Sequence, residues 1–132
     1  MGKIMIVDDS LIIRMNLKKL FEKQGYDIVA EAVNGQEAVE KYAKHQPDLV
    51  TMDITMPVRD GISALEEILR MDGQASVIMI SALGQELKII EALDKGACHY
   101  IVKPFKEADV IGKVQNALKD KMKEISNVCS SR

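Results

Sequence analysis

The sequence predicts an α/β fold: a doubly wound parallel sheet of five strands, flanked by five helices. Three observations predict it. Short runs rich in Val and Ile recur five times along the chain. Each is followed by a longer stretch whose apolar residues return at helical spacing. The chain has 132 residues, enough for one hydrophobic core and too few for two. Strand and helix in alternation imply right-handed crossovers within a single sheet. Of the two common doubly wound orders, five strands favour 2-1-3-4-5, the flavodoxin-like arrangement, whose switch point lies between strands one and three.

The strand runs are 3–8 (KIMIVD), 27–32 (DIVAEA), 48–53 (DLVTMD), 76–81 (SVIMIS) and 98–102 (CHYIV). Runs one, three and four are almost wholly apolar, as strands covered on both faces must be. The second alternates and the fifth carries polar residues, which suits the two edges. The helices between them have readable ends. Ser10 caps the first and Gly25 ends it. Asn34 with Glu37 resembles a capping box for the second, which stops before Pro47. Asp60-Gly61 opens the third and Gly73 follows it; Gly84 precedes the fourth and Gly96 ends it. The fifth starts near Lys106, with Val110, Ile111, Val114, Ala117 and Leu118 on one face. Gly112 interrupts that helix at a cost of about 1 kcal/mol relative to Ala. No linker or repeat divides the chain, so one domain is expected over 1–120, with 121–132 as a helix extension or flexible tail.

Composition narrows the function. A net charge of −2 and a pI near 5.7 give no basic field for nucleic acid or an anionic membrane surface. The start, MGKIMIVDDS, has acids where a signal peptide needs an apolar stretch, and no run approaches the roughly 20 residues of a membrane span. Cys98 and Cys129 lack metal-site spacing and read as reduced thiols. A cytoplasmic protein is expected.

Sheets of this kind bind ligands at the carboxyl ends of their strands. There, strand one delivers Asp8 and Asp9, strand three Asp53, strand four Ser81, and strand five leads to Lys103-Pro104. Asp9 or Ser10 alone could be a helix cap, and Lys103 alone a solvated lysine. Their arrival at one edge from four distant segments is a different matter. Three clustered carboxylates repel one another, and one ammonium does not neutralise them. A hard cation such as Mg²⁺, with Mn²⁺ as a substitute, fills the deficit; it binds through one or two carboxylates plus a phosphate. One carboxylate is then left to act as a nucleophile toward phosphorus.

The segments 6–10 (IVDDS), 50–57 (VTMDITMP), Asp60-Gly61, Ser81-Ala82 and 102–105 (VKPF) resemble the receiver domains of two-component response regulators over residues 3–120. The stretches 31–42 (EAVNGQEAVEKY) and 53–57 (DITMP), and Tyr100 before Ile-Val-Lys-Pro, point to the stand-alone chemotaxis regulators within that family. The resemblance implies that Asp53 is the phosphoacceptor. It implies that Asp8, Asp9, Asp53 and the backbone carbonyl of Thr55 hold Mg²⁺. Lys103 and Ser81 contact the phosphoryl group, with a cis Lys103-Pro104 bond and a small Ala82 that leaves the approach open. Tyr100 turns inward on activation, exposing a new face on helix four, strand five and helix five. A histidine kinase or phosphotransfer protein is the donor, and an output protein, the flagellar motor switch in chemotaxis, reads the result. Such a chain is a phosphoacceptor that assists its own phosphorylation and dephosphorylation rather than an enzyme.

One residue departs from the pattern: Arg59 stands where an apolar side chain, often Met, is usual. It is expected to be solvated, the other readings being that it pairs with the phosphoryl group or with a partner protein. Helical winding puts Ile13, Leu17, Leu20 and Phe21 inward, leaving Leu11 and Met15 as a docking patch for the donor. His45 and His99 are expected to be structural or solvent-facing. Among rival readings, an aspartate-nucleophile phosphatase needs an acid where Thr55 stands. A flavodoxin needs a Ser/Thr/Gly-rich loop where 7–12 (VDDSLI) offers carboxylates. A receiver fragment of a longer DNA-binding regulator is the more serious alternative.

Overall fold

In a computed structural model that describes residues 2–130, with side chains from 2 to 120, the elements alternate as the sequence predicts. They are β1 (Lys3–Val7), α1 (Leu11–Lys23), β2 (Asp27–Ala32), α2 (Gly35–His45), β3 (Leu49–Asp53), α3 (Gly61–Met71), β4 (Val77–Ser81), α4 (Glu86–Asp94), β5 (His99–Val102) and α5 (Glu107–Ser130). All strand pairs are parallel and the order is β2-β1-β3-β4-β5. The side chains of 121–130, Cys129 among them, and residues 131–132 lie outside the described part, where the expected tail falls.

Strand alternation sorts the core into two layers. Met5, Val7, Val50, Met52, Val77 and Met79 face one side, where Ala38, Val39 and Tyr42 of α2, Leu65 and Ile68 of α3 and Ile89 of α4 cover them. Ile4, Ile6, Leu49, Ile78 and Ile80 face the other, under Leu17, Leu20 and Phe21 of α1 and Val110 and Val114 of α5. Five helices on two faces is what right-handed crossovers about a β1/β3 switch point produce. β1, β3 and β4 are buried along nearly their whole length, whereas β2 and β5 are half-buried edges.

The caps decide where each helix begins. Ser10 Oγ accepts from the Ile13 amide at 3.3 Å, Asn34 Oδ1 from Glu37 at 2.8 Å and Asp60 Oδ1 from Ser63 at 2.8 Å. The Glu37 carboxylate reaches back to the Val33 amide, one residue before the Asn34 cap. α2 ends on Gln46 in the left-handed conformation (φ 45°), the residue at which the ring of Pro47 disfavours a further helical turn. The cap of α4 is the exception: Gln85 holds the position without a side-chain cap bond. Space around Gly112 is open, and nothing in the structure explains that glycine.

Candidate functional site

β1 and β3 are neighbours, so the residues at their carboxyl ends meet. Asp8 is fully buried, Asp53 is nearly so, and Asp9 is exposed. One carboxylate oxygen from each lies within 4.8 Å of the others, and this is the one such acidic group among the described residues. From beyond β5, Lys103 closes the cluster: its Nζ lies 3.1 Å from Asp8 Oδ2 and 3.6 Å from Asp53 Oδ2. The shorter contact is an ion pair without hydrogen-bond alignment, for Asp8 Oδ2 has no hydrogen-bond donor. The other Asp8 oxygen accepts from the Ser10 amide at 2.9 Å. In this state the lysine therefore sits closer to Asp8 than to Asp53.

Electrostatics follow from the crowding. The Asp53 carboxyl is pushed up from 3.8 to about 6, first by burial and then by Asp8, with a smaller push from Asp9. Lys103 and a hydrogen bond from the Thr55 backbone pull the other way without prevailing. One lysine is thus too little positive charge for three acids. The donor set, all carboxylate oxygen and partly unbonded, fits a hard divalent cation.

Packing around Asp53 is set by two glycines. A Cβ on Gly61 would stand 2.1 Å from the Asp53 carbonyl oxygen, and one on Gly35 would stand 2.6 Å from the Arg59 carbonyl oxygen. Only glycine lets α3 start against the end of β3 and α2 start against the loop between them. Arg14 reinforces the floor from α1, donating to the Asp8 carbonyl at 2.8 Å and pairing with Glu31 at 3.2 Å. Sequence reading had assigned no role to Gly35 or Arg14.

Ser81 ends β4 beside the cluster, fully buried, and its Oγ has no hydrogen-bond partner. Ala82 and Thr55 are exposed, and the Lys103-Pro104 bond is cis. Tyr100 stands apart from the acids, half-buried on β5. Lys113 lies 5.1 Å above its ring and donates to its carbonyl at 2.9 Å. His99 is partly buried there too, its Nδ1 accepting from the Tyr100 amide. Leu11 and Met15 are exposed on the first turns of α1, and so is Ile12, which the helical winding had not singled out.

Arg59 corrects the expectation placed on it. Its guanidinium is neither solvated nor turned to the acids. It pairs with Glu67 at 2.7 Å, donates to Ser63 Oγ at 2.8 Å and reaches Gln36 at 3.4 Å. The reason is local: α3 presents Ser63 and Glu67 one and two turns along on the side facing the loop, and the pair is part-buried.

Comparison with known proteins gives the family. Residues 4–115 match the response regulator receiver domain family, and the chain belongs to that family. It is a receiver of two-component signalling, closely related to the chemotaxis protein CheY. It is 52% identical over 116 residues to the chemotaxis protein CheY of Bacillus subtilis, covering 88% of this chain and 97% of that one. The corresponding protein of Thermotoga maritima is 51% identical over 112 residues, 84% of this chain and 93% of that one. Among solved structures, a CheX-CheY-BeF3-Mg complex from Borrelia burgdorferi superposes with a TM-score of 0.83 at 45% identity, over 86% of this chain and 87% of the other. No helix among the described residues is long and apolar enough to cross a membrane.

Proposed function

We propose that Asp53 accepts a phosphoryl group from a phosphohistidine donor and that the modified chain presents an altered α4-β5-α5 face to an output protein. The observation that carries this is the buried acid cluster at the β1/β3 switch point, with Lys103 between Asp8 and Asp53. Asp8, Asp9, Asp53 and the Thr55 carbonyl would hold Mg²⁺. Bound there, the ion supplies charge neutralisation for the incoming phosphoryl oxygens.

The chain's own residues do the rest. An Asp53 carboxylate oxygen attacks phosphorus; the phosphorus–nitrogen bond to the donor imidazole breaks, and its electron pair leaves with the imidazole. Lys103, already within 3.6 Å of Asp53, transfers its interaction from Asp8 to the phosphoryl oxygens. The unpartnered Ser81 hydroxyl gains the acceptor it lacks at rest. Two charge-assisted hydrogen bonds contribute about 3–6 kcal/mol, against the roughly 5.5 kcal/mol needed to move a two-state equilibrium from 1:99 to 99:1. In this way the chain assists its own phosphorylation and, with water as the nucleophile, its dephosphorylation.

The donor, a histidine kinase or phosphotransfer protein, docks on the exposed Leu11, Ile12 and Met15 beside the acids. The output face carries an apolar cleft formed by Leu83, Ile90 and Leu93 with Tyr100 and Val102. Similarity to the chemotaxis proteins favours the flagellar motor switch as its reader. Incubation with acetyl phosphate tests the reading: one phosphoryl mass is gained with Mg²⁺ or Mn²⁺, and none in EDTA. Equal transfer without a divalent cation overturns it.

A further inference from the structure

The loops after β3 and β4 are joined by one side chain. Gln85 Oε1 accepts from the Ala82 amide at 2.7 Å, and its Nε2 donates to Thr55 Oγ1 at 2.7 Å. Gln85 occupies the N-cap position of α4, yet its side chain makes no cap bond there. It links the two loops instead, from the residue after Ser81 to the residue two beyond Asp53. Both ends of the amide are used, in geometry that Gly84 (φ 87°) makes reachable by turning the chain just before it.

We infer that Gln85 is a clasp that holds the loop after β4 in its resting position and so opposes activation at Asp53. This rests on the function proposed above. Two independent observations support the direction. First, the resting position leaves Ser81 Oγ fully buried without a partner, so that position is not the one that satisfies the hydroxyl. Second, Ala82 is covalently next to Ser81, so Ser81 cannot shift toward a group on Asp53 without moving Ala82 out of the position in which Gln85 ties it to Thr55. Thr55 anchors the other end on the loop leaving β3, whose backbone amide already bonds Asp53. The clasp thus sets the separation of the two loops between which a phosphoryl group must fit. Activation moves Ala82 out of the geometry in which both bonds are 2.7 Å, and those hydrogen bonds become a free-energy difference between the two states.

The experiment is a titration of the full chain with beryllofluoride in saturating Mg²⁺, followed by calorimetry and by the amide signals of residues 81–86. Gln85→Ala is expected to tighten beryllofluoride binding about 3- to 10-fold, the range of one net neutral hydrogen bond at a wet surface. Thr55→Val, which keeps the backbone and removes the hydroxyl, is expected to do the same. The double variant should gain no more than the larger single, because the clasp acts as one unit. Binding that is unchanged or weaker in Gln85→Ala, in a protein whose unfolding midpoint matches wild type, overturns the clasp while leaving the proposed function intact. Full additivity of the two variants overturns it equally. Failure of beryllofluoride to bind wild type overturns the underlying reading, and the clasp with it.

Discussion

Asp53→Asn should make the cation-free protein more stable, although it removes a buried polar contact. The Asp53 carboxyl titrates near 6 in the folded chain against 3.8 ordinarily. Between those values the native state keeps a proton that the unfolded chain has lost, so stability falls as pH rises from about 4 to 6 and stays lowered above it. At roughly 1.4 kcal/mol per pH unit, the rise from 3.8 to about 6 corresponds to about 3 kcal/mol for a fully desolvated group. Asp9 opens the cluster to solvent, and screening there reduces the expected gain to about 1–2 kcal/mol. The asparagine keeps an oxygen for the Thr55 amide and loses the charge that Asp8 repels. Urea unfolding in EDTA at pH 8 should therefore show the variant more stable than wild type, with the difference shrinking toward pH 4.5. Saturating Mg²⁺ should reverse the order, since a ligand at 100 times its Kd stabilises the native state by about 2.7 kcal/mol. A variant less stable than wild type at pH 8 without cation, or a gain that ignores pH, would refute the reasoning.

Three further outcomes follow from the same geometry. Asp9→Ala should weaken Mg²⁺ binding at least tenfold by calorimetry while changing unfolding free energy by no more than about 0.5 kcal/mol, because Asp9 is exposed. Gly61→Ala, whose Cβ would overlap the Asp53 carbonyl, should cost about 2–4 kcal/mol by chemical denaturation and slow phosphorylation; a neutral effect would show that α3 can shift freely. Beryllofluoride with Mg²⁺ should move amide signals along residues 82–105, and changes confined to the neighbourhood of Asp53 would rule out signalling through Ser81 and Tyr100.

The fold was legible because its signals are local and mutually consistent. Short apolar runs in β1, β3 and β4, bounded by turn signals, read as strands covered on both faces, and Ser10, Asn34 and Asp60 mark helix starts where the structure shows their side chains capping. The acid cluster was legible for a topological reason: parallel strands bring all their carboxyl ends to one edge, so Asp8 and Asp53 meet whatever the loops do. What stayed hidden depends on rotamers and on contacts between segments far apart in sequence. Arg59 looked like a surface charge until Glu67 and Ser63 were brought beside it. Gln85 carries no pattern at all, since a glutamine in a turn is ordinary, and only the gap between two loops gives its amide a purpose. Gly35 has no signal of its own in the sequence, because its need for a bare backbone comes from the Arg59 carbonyl.

The residue that takes the phosphoryl group can be identified chemically. Wild-type protein treated with acetyl phosphate and Mg²⁺, then reduced with borohydride, converts an aspartyl phosphate to homoserine that peptide sequencing can place. The expected result is homoserine at position 53 alone, absent in EDTA and absent in Asp53→Ala. Homoserine at Asp8 or Asp9, or a phosphoryl group retained at full yield in Asp53→Ala, would contradict it.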